Sequence, residues 1–223
     1  MVGVAMLFAA AISLPAHTSA QTLDQQWAWC SDARADSVRS CTAVIQSGQQ
    51  TQADLAGAFY NRGKAYSGMR QYNLAIRDYD EAIRLNSYYA PAFNGRGNAY
   101  AALRQYDLAI RDYSDSIWLN PTEAIPFNNR GLAYEKLGTS IDVNSPVNAF
   151  QQVIDQNVRN NASAMKDFDE AVRLDPNFAS AIYNRAVLFR YLGQQGRASA
   201  EFAKARQLNP NLPPPQDNGV QVR

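Results

Sequence analysis

Small and aromatic residues recur along the middle of the chain at the spacing of amphipathic helices. In one segment, Phe59, Gly63 and Tyr66 fall on the same helical face. In the next segment, Ala75 and Tyr79 share a face in the same way. The positions between them are mostly polar, so the pattern predicts two packed helices joined by a short turn.

This predicted hairpin repeats with a fixed period. Residues 61–66 read Asn-Arg-Gly-Lys-Ala-Tyr, and related hexapeptides occur at residues 95–100 and 129–134. The glycines at the third position of these hexapeptides are 34 residues apart. A period of this length is typical of a stack of helical hairpins. The predicted repeats span about residues 56–89, 90–123, 124–178 and 179–210.

The third repeat contains an insertion. The position 34 residues after Ala109 is 143, but the matching residue is Ala164, which lies 21 positions later. We place the insertion at about residues 139–159. Ser145 before Pro146 is typical of a helix start, so we expect a helix that is either separate from the second helix of the repeat or continuous with it. Apolar residues then follow at helical spacing, at Val147, Phe150, Ile154 and Val158.

Residues 1–20 have the pattern of a secretory signal peptide. A largely apolar run over residues 2–14 is too short for a spanning helix, and Pro15 and small residues follow it. Cleavage is expected after Ala20, which makes Gln21 the first mature residue; cleavage after Ala16 is the alternative. Because no Lys or Arg precedes the apolar run, a buried N-terminal helix remains a second interpretation. A signal peptide predicts an exported protein, periplasmic or secreted.

Cys30 and Cys41 are the only cysteines in the chain. In an exported chain, two cysteines at this spacing predict one disulfide bond. A metal site would need further ligands nearby, and a redox pair more often has Cys-x-x-Cys spacing. The apolar positions around Cys41 predict a helix over about residues 36–47 that ends at Gly48. We expect this disulfide-stapled segment, residues 21–55, to cover the open face of the first repeat.

Composition excludes several classes of function. The net charge of +1 provides no basic surface for nucleic acid or an anionic membrane. The single histidine, His17, lies in the predicted signal peptide, so the mature chain would have no histidine for catalysis or metal binding. We expect no cofactor, no metal and no membrane span after signal removal. Residues 211–223 are predicted to be a disordered, proline-rich tail.

The repeats resemble the tetratricopeptide repeat (TPR). In that family an aromatic residue, a Leu-Gly pair and a Tyr mark the first helix, and Ala, an aromatic residue and a final Pro mark the second. The second repeat carries this pattern at Phe93, Gly97, Tyr100, Ala109, Tyr113 and Pro121. Arg replaces the family's Leu in every repeat, at Arg62, Arg96, Arg130 and Arg185. The resemblance implies an all-α, right-handed α-solenoid of four hairpins, similar to exported bacterial TPR proteins.

In the TPR family the first helices line a concave groove in which protein or peptide ligands bind. The resemblance therefore implies a protein or peptide partner. Asn side chains both donate and accept, so they can pair with the backbone of an extended peptide; the alternative is that Asn is merely common at these repeat positions. The predicted groove residues are Tyr60, Asn61, Lys64, Asn94, Asn98, Asn128, Asn129, Tyr183 and Asn184.

The family's best-known ligand mode clamps a C-terminal carboxylate with Lys, Asn and Arg. Here, Asn98 and Asn129 match two Asn positions of that clamp. Its cationic positions carry Asn94, Ser180 and Asn184, so a carboxylate clamp is not expected.

Paired acidic residues recur at Asp78, Asp80 and Glu81, and again at residues 167–170. They alternate with basic residues, which predicts solvent-exposed ion pairs rather than catalytic acids. The sequence thus predicts a non-enzymatic interaction scaffold of the bacterial periplasm or envelope. One alternative is an assembly subunit that homo-oligomerises, or joins an envelope complex, through the last repeat and the insertion. The other is a carboxylate-based hydrolase.

Overall fold

The computed structural model describes residues 23–31, 37–138 and 147–215. Within these ranges the chain forms ten helices and no strand. The predicted signal peptide, its cleavage site at Ala20 and Gln21, and the end of the predicted tail lie outside the described residues. The helices are α1 (Leu23–Ser31), α2 (Ser37–Gln46), α3 (Gln52–Gly68), α4 (Tyr72–Leu85), α5 (Ala90–Ala102), α6 (Tyr106–Leu119), α7 (Ala124–Gly138), α8 (Val147–Leu174), α9 (Ala179–Tyr191) and α10 (Gln195–Leu208).

Helices α3 to α10 form four consecutive hairpins, which is the predicted all-α solenoid. In each hairpin the two helices pack on each other, and each second helix packs on the first helix of the following repeat. The first helices also contact one another from repeat to repeat, whereas the described second helices do not. The first helices therefore form the inner, concave wall of the solenoid.

The first helix of the first repeat begins before the predicted start of the repeat. Helix α3 starts at Gln52, four residues before Ala56. The backbone N–H of Asp54 donates to Thr51 Oγ1 at 3.2 Å, and Thr51 Oγ1 donates to Asp54 Oδ2 at 2.7 Å. This reciprocal cap satisfies a backbone donor that the first helical turn leaves unpaired, and it adds one turn to the helix.

A buried aromatic ring locks each repeat to its neighbours. The Tyr79 ring on α4 lies between Gly63 on α3 and Gly95 on α5. A Cβ atom on either glycine would lie 2.8 Å from Tyr79 Cε1, so only glycine fits at these two positions. Gly97 meets the Tyr113 ring in the same manner, and Gly131 meets the Phe168 ring. The glycine column of the sequence thus makes room for the aromatic column of the second helices.

The N-terminal helices form the predicted stapled cap. The Cys30 and Cys41 sulfur atoms are 2.09 Å apart, at bonding distance, and join α1 to α2. Both cysteines and Val44 are buried against Ala58 of α3, with Trp27 packed beside them. Helix α2 lies within the predicted residues 36–47, but α1 was not predicted from the sequence. Two helices rather than one therefore cover the first repeat.

The insertion extends the second helix of the third repeat. Helix α8 runs without interruption for 28 residues from Val147 to Leu174. Of the two expected arrangements, the continuous helix is the one observed. The described part of the extension exposes two apolar side chains, Ile154 and Val158, which are 40% and 63% exposed.

The prediction that the repeated acidic residues are solvent-exposed is wrong for two of them. Asp78 and Asp167 are buried, at 5% and 3% exposed. Each pairs with the Arg that replaces the family's Leu, because an arginine at that inward position brings its charge into the repeat. Arg62 donates from Nε and Nη2 to both oxygens of Asp78, at 2.8 and 2.7 Å. Glu81 and Glu170 do form exposed pairs with the arginines three residues later.

These arginines also tie successive repeats together, and we call them the arginine ladder: Arg62, Arg96, Arg130 and Arg185. Arg96 pairs with Asp112 of its own repeat, and its Nη1 donates to Asp80 of the preceding repeat at 2.6 Å. Arg185 reaches back to Asp169 in the same way. A planar guanidinium with five donors can serve two helices at once, which a Leu at this position cannot do.

Candidate functional site: the concave groove

All nine predicted groove residues lie on the first helices of the repeats, and five of them form one hydrogen-bonded cluster. We call this cluster the asparagine ladder. Its members come from α5, α7 and α9, so it crosses three repeats. The ladder consists of Asn94, Asn98, Asn128, Asn129 and Asn184.

The hydrogen bonds of the ladder run in one direction along the groove. Asn184 Nδ2 donates to Asn128 Oδ1 at 2.9 Å. Asn128 Nδ2 donates to Asn129 Oδ1 at 3.4 Å. Asn129 Nδ2 then donates to both Asn94 Oδ1 and Asn98 Oδ1, each at 3.1 Å. The amides therefore pair with one another. Only the amide donors and acceptors that these hydrogen bonds do not use are available to a ligand.

Burial divides the ladder into a structural and an accessible part. Asn128 is only 5% exposed, and its amide bridges the third and fourth repeats. Asn98 is exposed, and its Oδ1 additionally accepts a hydrogen bond from the Tyr113 hydroxyl at 2.8 Å. The Tyr113 hydroxyl thus fixes the orientation of the Asn98 amide, and the rest of this side chain is accessible from the groove.

The first repeat does not join the ladder. Asn61 and Asn129 occupy equivalent repeat positions, but the intervening position is Gly95, which has no side chain to continue the pairing. Within the described structure Asn61 makes no side-chain hydrogen bond. Instead, Lys64 Nζ lies 5.7 Å from the centre of the Tyr60 ring, and the Tyr60 and Tyr89 rings meet edge to face at 5.2 Å. Burial raises the pKa of Tyr60, so this end of the groove carries a neutral aromatic pair beside an exposed cation.

Tyr183 packs against the core of the fourth repeat. Its ring meets Phe202 edge to face, with centroids 5.2 Å apart. It packs against the buried cluster of the fourth repeat, next to Ala186 and Phe189. Tyr183 is partly buried, and its contact with Phe202 corresponds to the contact between Tyr60 and Tyr79 in the first repeat.

A cavity of about 360 Å³ opens in the groove between the second and third repeats, and we call it the groove pocket. It brings together Asn98 and Asn129, which the sequence predicted, with side chains that it did not. Tyr106 could have been recognised, because it occupies the same repeat position as Tyr72. The pocket is lined by Asn98, Ala101, Tyr106, Tyr113, Asn129, Leu132, Ala133 and Lys136.

The groove pocket combines carbon surface with a few polar groups. Burial raises the pKa of Tyr113, so its hydroxyl stays protonated and donates to Asn98. Lys136 Nζ lies 3.3 Å from Glu135 Oε1, which partly balances its charge. Partly buried Leu132 and Ala101 supply apolar wall. The groove pocket is therefore a concave site with apolar walls and a few polar side chains.

The parts of the chain that the structure describes also bear on two further classes of site. No cluster of three or more histidine, cysteine, aspartate or glutamate side chains there is arranged to hold a metal ion. No described helix has both the length and the apolar character that a membrane span requires.

The sequence matches two family models of helical repeats. Residues 56–89 match the model described as "Tetratricopeptide repeat", and residues 97–138 match one described as "TPR repeat". Residues 56–89 and 97–138 are therefore TPR sequences, in agreement with the resemblance of the repeats to that family. The first match spans the residues predicted for the first repeat. A comparison with curated protein sequences found no match.

Solved TPR structures share the fold. A crystal structure of MamA is 19% identical, with a TM-score of 0.59, over 77% of this chain and 85% of that one. TTC0263, a thermophilic TPR protein of Thermus thermophilus, is 18% identical with a TM-score of 0.59, over 78% and 82%. The first TPR of Spaghetti (RPAP3), solved with the HSP90 peptide SRMEEVD, is 20% identical with a TM-score of 0.51, over 66% and 99%. At these identities the likeness concerns the fold.

Proposed function

We propose that this protein is a non-enzymatic scaffold that binds a peptide or a partner protein along its concave groove. The groove pocket carries this proposal, because it places exposed Asn98 and Lys136 above a wall of partly buried carbon surface. TPR domains serve protein–protein interaction, and one structural neighbour was solved with a bound peptide.

We also propose that the protein works outside the cytoplasm, in the bacterial periplasm or envelope. Two independent features support this location. Residues 1–20 have the composition of a secretory signal. The Cys30–Cys41 disulfide is of a kind that persists in oxidising compartments and is rare in the cytosol. N-terminal sequencing of the protein purified from an envelope fraction should begin at Gln21; an intact Met1 would contradict export.

Affinity capture from envelope extract tests groove binding. The intact chain is compared with a groove variant, Asn98→Asp with Lys136→Glu, in which both changes are on exposed groove side chains. A matched convex variant, Arg111→Glu with Lys166→Glu, changes two exposed side chains on the second helices. Loss of the same partner from the groove variant alone supports the proposal. Equal capture by all three proteins contradicts it.

The second candidate function is an assembly role through the insertion and the last repeat. The exposed Ile154 and Val158 of α8 favour it, because apolar side chains on a helix extension are typical of contact surfaces. A shallow cleft of about 310 Å³ on the last repeat, lined by Phe202, Arg190 and Pro215, is a second such surface. Light scattering across a concentration series tests this function. A mass that rises with concentration, and no longer rises in Val158→Asp, supports it; a monomer at every concentration contradicts it.

A further inference from the structure

The hydrogen bonds of the asparagine ladder leave its amides with free donors rather than free acceptors in the groove pocket. Asn98 Oδ1 accepts from the Tyr113 hydroxyl at 2.8 Å and from Asn129 Nδ2 at 3.1 Å. An amide oxygen has two lone pairs, so both are occupied. Within the described structure, Asn98 Nδ2 donates no hydrogen bond, and the side chain is exposed. Asn98 therefore presents an N–H donor to the groove and no acceptor.

The neighbouring amides likewise have their acceptors occupied by hydrogen bonds within the ladder. Asn94 Oδ1 accepts from Asn129, and Asn94 Nδ2 has no acceptor among the described residues. Asn129 uses both hydrogens of its Nδ2 within the ladder, and its Oδ1 accepts from Asn128. Lys136, which also lines the groove pocket, carries an ammonium group that can only donate. The side chains that could fix a ligand here are predominantly donors.

An ordinary extended peptide fits such a pocket poorly. Its backbone presents an N–H at every residue, and an N–H that loses water against another donor costs free energy. Proline keeps the carbonyl acceptor and has no N–H. A proline-rich segment also holds the extended polyproline II conformation before binding, which lowers the entropy that binding must overcome.

The walls of the groove pocket suit proline rings. Tyr106, Leu132 and Ala101 are partly buried and present carbon surface. Grooves that recognise proline-rich segments combine aromatic walls with a few hydrogen-bond donors. An acidic peptide is less suited, because Lys136 is the one cation among the described lining residues and its Nζ lies beside the Glu135 carboxylate.

We propose that the groove pocket binds a proline-rich segment of a partner protein, whose carbonyl oxygens accept hydrogen bonds from Asn98 Nδ2 and Lys136 Nζ while its rings pack on Tyr106 and Leu132. This inference rests on the proposed groove-binding function and names its ligand class. It assigns Asn98 as the residue that selects against peptide N–H groups.

The test is a titration of fluorescein-labelled hexaproline with the folded protein, followed by fluorescence anisotropy. The deciding variant is Asn98→Asp. An aspartate still accepts from Tyr113 and Asn129, so the ladder persists, but the outward donor becomes an acceptor. We expect affinity for hexaproline to fall about tenfold or more, with an unchanged melting temperature. Asn73→Asp, at an exposed asparagine on the second helix α4 and outside the groove, should bind like the wild type.

A matched peptide distinguishes the contribution of missing backbone N–H groups to binding from that of the proline rings. Alternating proline and alanine restores an N–H at every second residue and should bind about tenfold more weakly than hexaproline. Equal binding of the two peptides, or equal binding of hexaproline to wild type and Asn98→Asp, overturns the inference. If hexaproline fails to bind while the groove variant still loses its partner in affinity capture, the ligand class is wrong and groove binding stands. If both fail, both proposals fall.

Discussion

Arg130 on α7 donates two parallel hydrogen bonds to Asp167 on α8, which lies 37 residues ahead in the chain. The corresponding pair in the second repeat, Arg96 and Asp112, is separated by 16 residues and has closely similar geometry. The difference is the 21-residue insertion. The insertion therefore leaves this arginine–aspartate pairing in register with that of the second repeat.

This pairing predicts a large, asymmetric effect on stability. Asp167 is buried, so Arg130→Met leaves a carboxylate without a partner in a site that excludes water. Breaking one side of a buried ion pair costs about 3 kcal/mol or more. The double variant Arg130→Leu with Asp167→Leu removes both charges and should be more stable than the single one. Urea denaturation followed by circular dichroism measures each free energy of unfolding.

The exposed pair Arg173 and Glu170 on the same helix provides the control for that series. Its charges are hydrated before and after folding, so Arg173→Ala should leave stability unchanged within error. If Arg130→Met were as stable as the wild type, the arginine ladder would be a surface feature and the account of it would be wrong.

The enclosure of Tyr79 between two glycines predicts opposite effects of the same substitution at two sites. Gly95→Ala places a methyl group 2.8 Å from Tyr79 Cε1, and such overpacking typically costs about 1–3 kcal/mol. Gly57→Ala, in α3, meets nothing within 4 Å and should gain up to about 1 kcal/mol from helix propensity. Thermal unfolding of the two variants should therefore shift in opposite directions. A stabilised Gly95→Ala would refute the packing described here.

Burial of Tyr79 predicts a loss of stability in alkali. Burial raises the pKa of Tyr79 from 10.0 to about 12 in the folded protein. The stabilisation is complete below pH 10 and is lost as the pH rises toward 12, because the unfolded chain releases the phenolic proton first. At pH 11 this one group lowers the free energy of unfolding by on the order of 1 kcal/mol relative to pH 8.

Tyr79→Phe removes that contribution, so its urea stability should fall less between pH 8 and pH 11 than that of the wild type. Phenylalanine is tolerated here, since Phe168 and Phe202 occupy the equivalent positions of the later repeats. Tyr88→Phe, at a tyrosine that is 76% exposed, serves as the matched control. Identical pH slopes for the wild type and Tyr79→Phe would show that Tyr79 does not resist ionisation.

Deletion of residues 139–159 should leave a folded four-repeat solenoid. The remaining turn would read Leu137-Gly138-Asn160, equivalent to Leu103-Arg104-Gln105 in the second repeat. Arg104 adopts a left-handed φ of 61°, a conformation that Gly138 reaches without strain. Circular dichroism should show one cooperative transition. Loss of cooperativity in the deleted protein would mean that the extension of α8 is needed for folding.

The sequence predicted the solenoid because a 34-residue period reports packing that recurs identically in each repeat. The disulfide was also predictable, since the chain has only two cysteines and residues 1–20 have the pattern of a secretory signal. Helix α1 was not predictable, because its apolar positions form no clear stripe.

The buried aspartates looked exposed in the sequence, since Asp78 lies among charged neighbours. Only its partner, Arg62, reveals that Asp78 is buried. The sequence did contain a signal for this pairing, because an Arg occupies the family's Leu position 16 residues before the buried aspartate.

The groove was predictable in location but not in chemistry. Repeat positions placed the five asparagines on one wall, yet their pairing depends on distances between repeats that no local pattern encodes. Asn128 and Asn98 look alike in sequence, but one is buried and the other is exposed. The repeat positions were therefore sufficient to place these residues on the concave wall. Only the structure could separate the amides that hold the wall together from the one that is exposed in the groove.

Site-specific photocrosslinking in the native envelope tests the central claim, groove binding, most directly. A benzoylphenylalanine replaces in turn Lys136 in the groove pocket, Arg111 on a second helix, and Val158 on the extension of α8. All three side chains are exposed, so each probe can reach a bound partner without disturbing the core. We predict that the partner crosslinks from position 136 and not from position 111. A partner that crosslinks from position 111 or 158 and never from position 136 would contradict binding in the groove.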